Sequence, residues 1–481
     1  MPVTMEKMSR RTHRTNPRYR IPGFAGQSVA VVGAGKSGVA AARLLVALGA
    51  EVALVDHKPE TEWAMGVADV QGVHPFGAER FAQGLEAVDL VVVSPGVPPV
   101  LDAFDAVRRQ GVPIIGEVEL ASWFLSVPII GVTGTNGKST VVSLIGTLLQ
   151  ECGTTPFVGG NLGTPLTEAA LAMHQRAGMG TEGPAPFQEI VAELSSFQLE
   201  TIDRFRPHVA VLLNITPDHL DRHSSFADYA KAKASVFRNQ TAGDFAVLNA
   251  DEAEVLSVRD SLRGQLVEFS VLKEVPHGVW VAGDTIMTRW KGRQDEVMPV
   301  CDIPLPGTHN VSNVLAALAV GLVRGCSRES MRRAVRSFRG LPHVCEFVRE
   351  RRGVIFINDS KGTNVDATLK AIDSLRQPFV IILGGQEKGR TEFGRLKGAL
   401  EPGVKHCIVL GESAEAIARA ITGVGPTSRV SSLAEGVALA ADLAVPGDVV
   451  LFSPACASFD MFRDYRDRGR QFCDLVNALA D

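Results

Sequence analysis

Three apolar, β-branched runs each end in a glycine-rich loop: Ser28-Val-Ala-Val-Val-Gly33, Pro128-Ile-Ile-Gly-Val-Thr-Gly134 and Phe379-Val-Ile-Ile-Leu-Gly-Gly385. A run that is apolar at every position is a strand covered on both faces, and such strands belong to parallel sheets flanked by helices. After Gly38 comes the helical stretch Val39-Ala-Ala-Ala-Arg-Leu-Leu-Val-Ala-Leu48, which Gly49 stops, and Glu51–Asp56 completes a βαβ unit. Further short strands are expected at Leu90–Val93, Glu189–Ala192, Val209–Leu213, Val354–Ile357, Cys407–Leu410 and Val449–Phe452, with helices between them. This alternation predicts an α/β fold of parallel sheets. It breaks at about 265–300, where Val-Trp-Val, Thr-Ile-Met and Arg289-Trp-Lys-Gly-Arg293 predict β-hairpins. A chain of 481 residues holds about two to four cores. Boundaries near Gly116 and Gly340-Leu-Pro342 divide it into three α/β domains, 25–116, 117–340 and 341–481, after a basic tail at 1–24 that is expected to be disordered.

Charge and cysteine content narrow the setting. Lys plus Arg is 49 and Asp plus Glu is 53, a net charge of −4. That argues against nucleic acid or an anionic membrane surface as the main partner. No window holds the roughly 18 uninterrupted apolar residues of a membrane span; Val29–Val55 is interrupted by Lys36, Ser37, Arg43 and Glu51. The seven cysteines stand singly from Cys152 to Cys473, without a CxxC pair. Thiols in a reduced compartment are therefore expected, with no disulfide framework. The first 20 residues carry Lys7, Arg10, Arg11, Arg14, Arg18 and Arg20 against Glu6 and lack an apolar segment, so no secretory signal is read there.

The chemistry lies at strand ends. Gly33-Ala-Gly-Lys-Ser-Gly38 fits GxGxxG between a strand and a helix, and Asp56 ends the next strand. Such glycines admit a pyrophosphate to a helix N-terminus while the acid takes a ribose hydroxyl, so the site suits a dinucleotide or any nucleotide-diphosphate conjugate. Ser94-Pro-Gly96 ends a neighbouring strand. Thr133-Gly-Thr-Asn-Gly-Lys-Ser-Thr140 is a phosphate loop, although Val132 stands where the strict pattern wants its first glycine. Lys138 would meet the β- and γ-phosphates and Ser139 a Mg²⁺ ion. Glu193-Leu-Ser-Ser-Phe-Gln198 and Asn214-Ile-Thr-Pro-Asp-His-Leu-Asp-Arg-His223 follow two more strands, and a helix with Lys231 and Lys233 comes next. Asn358-Asp-Ser-Lys-Gly-Thr-Asn364, Leu383-Gly-Gly-Gln-Glu-Lys388 and Ser453-Pro-Ala-Cys-Ala-Ser458 end three strands of the last domain, which points to a second substrate surface there.

Taken in order with Gly307-Thr-His-Asn-Val-Ser-Asn313, these motifs resemble the Mur ligases of peptidoglycan synthesis, from about Val29 to Phe472. Leu-Gly-Gly-Gln-Glu-Lys388 and Ser453-Pro-Ala-Cys-Ala-Ser-Phe-Asp-Met-Phe-Arg-Asp-Tyr465 are similar to the D-glutamate-adding branch. The resemblance implies a Rossmann-like UDP-binding domain, a P-loop ATPase-like central domain and a Rossmann-like C-terminal amino-acid-binding domain. It implies a cytoplasmic, monomeric ligase that uses ATP to join D-glutamate to UDP-N-acetylmuramoyl-L-alanine.

On matching positions the resemblance gives Gly35, Lys36, Ser37, Asp56, Gly96, Asn161 and Ser195 to the UDP substrate. ATP would take Gly134, Thr135, Asn136, Gly137, Lys138, Ser139, Thr140, Asn313, Asp359 and Lys361. Thr363, Lys388, Ser458 and Tyr465 would hold D-glutamate. Ser139, Glu193, His219 and Lys233 would surround two Mg²⁺ ions, Lys233 as a carbamate formed with CO₂. Lys138, His219, Lys233 and Lys361 would be catalytic. One departure stands out: family members commonly carry arginine directly after His343, where this chain has Val344. Three rival readings remain, a folylpolyglutamate-synthase-like ligase, an NAD-dependent oxidoreductase with an accessory ATPase domain, and a non-catalytic nucleotide-binding regulator. Gly33–Gly38 argues against the first and the loops of the last domain against the second. The Lys138, Glu193, His219 and Lys233 set argues against the third.

Overall fold

The computed structural model describes residues 24–63, 70–161, 163–178, 185–219, 222–305, 307–387 and 391–480. Among them no helix is long and apolar enough to cross a membrane. Phe24, the last residue of the expected tail, is buried, its ring 6.1 Å from that of Phe124. Residues 1–23 lie outside the described residues.

The chain forms two compact units. One gathers the chain up to Gly131 with Thr155–His208 and Lys231–Thr241; the other takes Val132–Thr154, Val209–Ala230 and Ala242–Asp481. In the first, five parallel strands run in the order Val73–Phe76, Glu51–Val55, Ser28–Val32, Leu90–Val93, Ile114–Gly116. The central run Ser28–Val32 is buried because it is apolar on both faces. Helix Lys36–Ala47 covers it with Val39, Ala40, Ala41, Leu44 and Leu45 and ends where Gly49 takes φ +84°. Gly38 lets the helix lie close: a Cβ there would stand 1.8 Å from the Gly33 carbonyl oxygen. Helix Leu166–Gly178 packs on this helix and on helix Glu117–Ser122. Two buried carboxylates, absent from the sequence reading, anchor that packing. Glu117 Oε1 accepts from the Thr167 N–H and hydroxyl at 2.7 and 2.8 Å. Glu119 accepts backbone N–H groups of Asp203, Arg204 and Phe205 at 2.8–2.9 Å.

In the second unit, strands Val209–Leu212, Phe245–Asn249, Gln265–Ser270 and Gly278–Ala282 pair in parallel. Thr285–Trp290 and Arg293–Pro299 then add an antiparallel meander. The expected hairpins therefore occupy only the later part of 265–300. The first strand of that stretch is parallel because Phe269 and Val267 continue a buried surface. Helix Lys138–Glu151 packs against helices Thr308–Val323 and Arg328–Ser337. Just past the first two of these, Cys152 and Cys326 are joined as a disulfide with Cα atoms 5.7 Å apart. This corrects the reading of all seven cysteines as isolated thiols; a separation of 174 residues hides the proximity.

A six-stranded sheet completes the unit in the order Glu346–Arg351, Val354–Asn358, Val449–Phe452, Phe379–Gly384, Val404–Leu410, Thr427–Arg429. It is parallel except for the first pairing. One core cluster lies around Ile381, Leu383 and Leu451, another around Phe356, Ile382 and Phe452, so alternate residues of the same strands serve opposite faces.

Candidate active site

Three groups of strand ends carry the residues singled out by sequence. In the first unit, the Ser94 hydroxyl donates to the Gly33 carbonyl at 3.0 Å and fixes the glycine loop. Asp56 is not held open for a ligand alone: Oδ2 accepts from Ala34 N at 2.7 Å and Oδ1 from Lys58 N at 2.9 Å. Oδ2 keeps a second lone pair for a hydroxyl donor, whereas Oδ1 also lies 3.2 Å from His57 Nδ1. Gly35 and Gly96 have open space where a Cβ would be, and Ser37 is half-buried at the helix start. Lys36 Nζ donates to the Gly163 carbonyl, which ties the glycine loop to the turn after Asn161. Asn161 donates to Glu193 Oε1 at 2.8 Å. Ser195, assigned to substrate by resemblance, forms a capping box with Gln198 at the start of helix Ser196–Leu199. Glu193 and Lys233 of this unit are 3% and 2% exposed.

In the second unit, Gly137 takes φ +83° at the start of helix Lys138–Glu151. Lys138 Nζ turns back onto the Gly134 and Thr135 carbonyls, each at 2.7 Å. Asn136 N donates to Asn214 Oδ1 at 2.9 Å, and Asn214 Nδ2 donates to the Asn136 carbonyl at 3.1 Å. The Thr135 hydroxyl lies 3.1 Å from that of Tyr229, and burial pushes the Tyr229 phenol well above its ordinary range. Asn214 opens a motif read from sequence but was given no role, and Tyr229 was not singled out; their bonds with the phosphate loop are visible only in space. Ser139 and Thr140 are buried, and so is Asn313, whose Nδ2 donates to Asn310 Oδ1 at 3.2 Å. Burial and the charge of Lys370 push His309 down to about 4, so it is neutral near pH 7. His219 takes φ +54°, its side chain 44% exposed beside Asp218.

The six-stranded sheet brings its own loops to this phosphate loop. Lys361 Nζ donates to the Ser139 hydroxyl. Thr363 N donates to the Lys361 carbonyl at 2.8 Å. Asp359 accepts from the Ser453 hydroxyl at 2.6 Å and from Cys345 N at 3.1 Å, and burial raises it to about 7. Ser458 is buried, and the Tyr465 carbonyl accepts from the Ser360 hydroxyl at 2.8 Å. Lys388 lies outside the described residues. His343, Glu346 and Cys473 present ligand atoms within 4.8 Å of one another. Asn358 Nδ2 fills that cluster, 2.9 Å from His343 Nδ1, 3.1 Å from Glu346 Oε2 and 3.2 Å from Cys473 Sγ. An amide hub thus stands where a cation would have to be.

Of the proposed metal-binding set, Ser139 and His219 belong to the second unit, Glu193 and Lys233 to the first. A hydroxyl, a carboxylate and an imidazole suit a hard divalent ion, whereas an unmodified ammonium does not.

Comparison with known proteins identifies the family. A Mur ligase MurD-like N-terminal domain matches residues 27–116, a Mur ligase middle domain 132–321, and a Mur ligase glutamate ligase domain 345–456. Proteins named UDP-N-acetylmuramoylalanine–D-glutamate ligase from Pelotomaculum thermopropionicum and Koribacter versatilis are 44% and 43% identical to the chain. Each alignment covers 95% of the chain and 98% of the relative. In fold, the chain is similar to UDP-N-acetylmuramate-alanine ligase MurC from Thermotoga maritima, with a TM-score of 0.57 at 20% identity over 94% of this chain and 99% of that one. MurF ligase from the same organism, solved in complex with ADP, gives 0.55 at 16% identity over 88% and 94%.

Proposed function

Because the chain belongs to the Mur ligase family, we propose that it is the ATP-dependent ligase that joins D-glutamate to UDP-N-acetylmuramoyl-L-alanine in peptidoglycan synthesis. The alanine carboxylate attacks the γ-phosphorus of ATP, giving an acyl phosphate and ADP. The D-glutamate amine then attacks the acyl carbon, and the tetrahedral intermediate expels inorganic phosphate, leaving an amide. The contact of Lys361 with Ser139 carries this reading: a lysine from the sheet with the amino-acid loops meets the hydroxyl of the phosphate loop, where a transferred phosphoryl group has to lie between two substrates. Lys138 and Lys361 offset the charge as two anions approach.

Gly35, Lys36, Ser37, Asp56 and Gly96 hold UDP, and Asn161 and Ser195 the muramoyl-alanine end. Gly134 to Thr140 cradle the ATP phosphates, Asn313 meets the adenine, and Asp359 the ribose. Thr363, Lys388, Ser458 and Tyr465 hold the D-glutamate carboxylates by charge and hydroxyl donors. Domains 25–116, 117–340 and 341–481 carry the UDP, ATP and amino-acid ends in turn. Ser139, Glu193, His219 and carbamylated Lys233 would hold Mg²⁺, which neutralises phosphate charge when bound. Soluble nucleotide substrates support a cytoplasmic location, and the resemblance to the family supports a monomer.

Purified protein with ATP, Mg²⁺ and UDP-N-acetylmuramoyl-L-alanine is expected to release phosphate when D-glutamate is added, and not with L-glutamate, L-lysine or diaminopimelate. Release with one of those instead would sink the assignment. Lys233→Ala is expected to lose activity and to regain part of it with added short carboxylates such as acetate or formate; absence of rescue counts against the carbamate.

A further inference from the structure

Arg468 is 2% exposed, one of the largest fully buried side chains among the described residues. Among the described residues no carboxylate forms an ion pair with it, although the charges of Asp460 and Asp359 favour its charged form. Nε donates to the Ser360 hydroxyl at 3.0 Å, Nη2 to the Ser360 and Cys456 carbonyls at 2.8 and 3.1 Å, and Nη1 to the Ala457 carbonyl at 3.1 Å. The guanidinium also lies 5.9 Å from the centre of the Phe452 ring. A buried cation is costly unless its donors are satisfied, and here four donor contacts reach two different loops. A third loop adjoins it: a Cβ on Gly385 would stand 3.1 Å from Nη1. That loop is tied to the second by Gln386 N donating to the Ala457 carbonyl at 2.9 Å. All three loops follow neighbouring parallel strands, Val354–Asn358, Val449–Phe452 and Phe379–Gly384, so their ends converge on one point.

We propose that Arg468 is a positioning residue that sets the D-glutamate-binding loops against the loop that presents Lys361 to the ATP phosphates. The inference rests on the assignment of D-glutamate to these loops. Ser360 directly precedes Lys361, and Ala457 directly precedes Ser458. The Ser360 hydroxyl, bonded by Arg468, itself donates to the Tyr465 carbonyl at 2.8 Å. One planar fork therefore fixes the backbone beside a nucleotide residue and beside two D-glutamate residues. Lysine cannot replace it, because three donors on one nitrogen cannot span carbonyls on opposite sides of a guanidinium. Gly469 admits the helix to this position: a Cβ there would lie 2.4 Å from His343 Nδ1.

Arg468→Lys keeps the charge and removes the fork. Its KM for D-glutamate is expected to rise roughly tenfold or more, the loss of a hydrogen bond to a charged group. The KM for ATP should rise less, and that for UDP-N-acetylmuramoyl-L-alanine should stay within about twofold, since its residues lie elsewhere in the chain. Ser360→Ala should repeat the pattern more weakly. Asp448→Asn, which breaks the buried end of an ion pair with Lys405 in the same sheet, serves as the control for simple destabilisation and should lower Tm without changing the three KM values. Hydrogen exchange at 358–364 and 453–458 should quicken in Arg468→Lys and not in Asp448→Asn. Three KM values unchanged or raised alike in Arg468→Lys would overturn the proposal. Should the wild-type protein not use D-glutamate, the functional reading fails, and exchange alone decides: unaltered exchange in both segments rules the clamp out.

Discussion

Asp359 shows what a single buried group does to the pH response of this protein. Burial raises its carboxyl from 3.8 to about 7, against the opposing pull of the Ser453 and Cys345 hydrogen bonds. The folded state therefore holds this proton more tightly than the unfolded chain. Its contribution is complete below about pH 4 and is lost as pH rises through about 7. Asp359→Asn has no such proton to lose, so the Tm of the wild type should fall relative to that of the variant between about pH 4 and 8; parallel curves would refute this. At this scale the sequence showed which residues bear chemistry but not who already holds them. Asp56 and Ser195 were legible as polar groups after strands, yet their bonds to Ala34, Lys58 and Gln198 depend on loop geometry. Arg468 was illegible, because an arginine four residues into a polar helix reads as solvated until the fold buries it.

Strand ends are the elements that matter, and they were the most legible. Ser28–Val32, Val354–Asn358 and Val449–Phe452 are short, apolar and followed by glycine or polar loops, a pattern with few alternatives. Edge strands were not: Glu346–Arg351, with four charged residues in six, is held by antiparallel pairing to Val354–Asn358 and not by burial. Val344 sits just before that edge, between His343 at φ +65° and Cys345 at φ +41°. Val344→Arg restores the arginine common in the family. It is expected to lower the KM for ATP by about threefold to tenfold, the scale of a partly exposed charge-assisted contact; an unchanged value would mean that other cations already serve. Gly137→Ala should do the reverse. It strains a left-handed position by about 1–3 kcal/mol and sets a Cβ 2.3 Å from Asn313 Oδ1, so ATP binding and Tm should both fall.

Over the whole molecule, the division into α/β layers was legible in the alternation of runs, but the compact units were not. The chain leaves the first unit after Gly131, returns at Thr155, leaves after His208 and returns once more for Lys231–Thr241. Sequence shows boundaries through changes of composition, and these crossings fall where composition does not change. A fragment ending at Gly131 is expected to melt without cooperativity and to bind hydrophobic dyes, because Glu117 and Glu119 lose Thr167 and Asp203–Phe205, and helix Lys36–Ala47 loses its cover. A sharp, cooperative melt of that fragment would refute the dependence. The same weaving bears on how the protein is made. During translation the first unit cannot finish when its own five-stranded sheet has left the ribosome. It has to wait, with two buried acids unpartnered, until residues beyond 200 emerge, so slow synthesis through that stretch would lengthen the time a chaperone has to shield it.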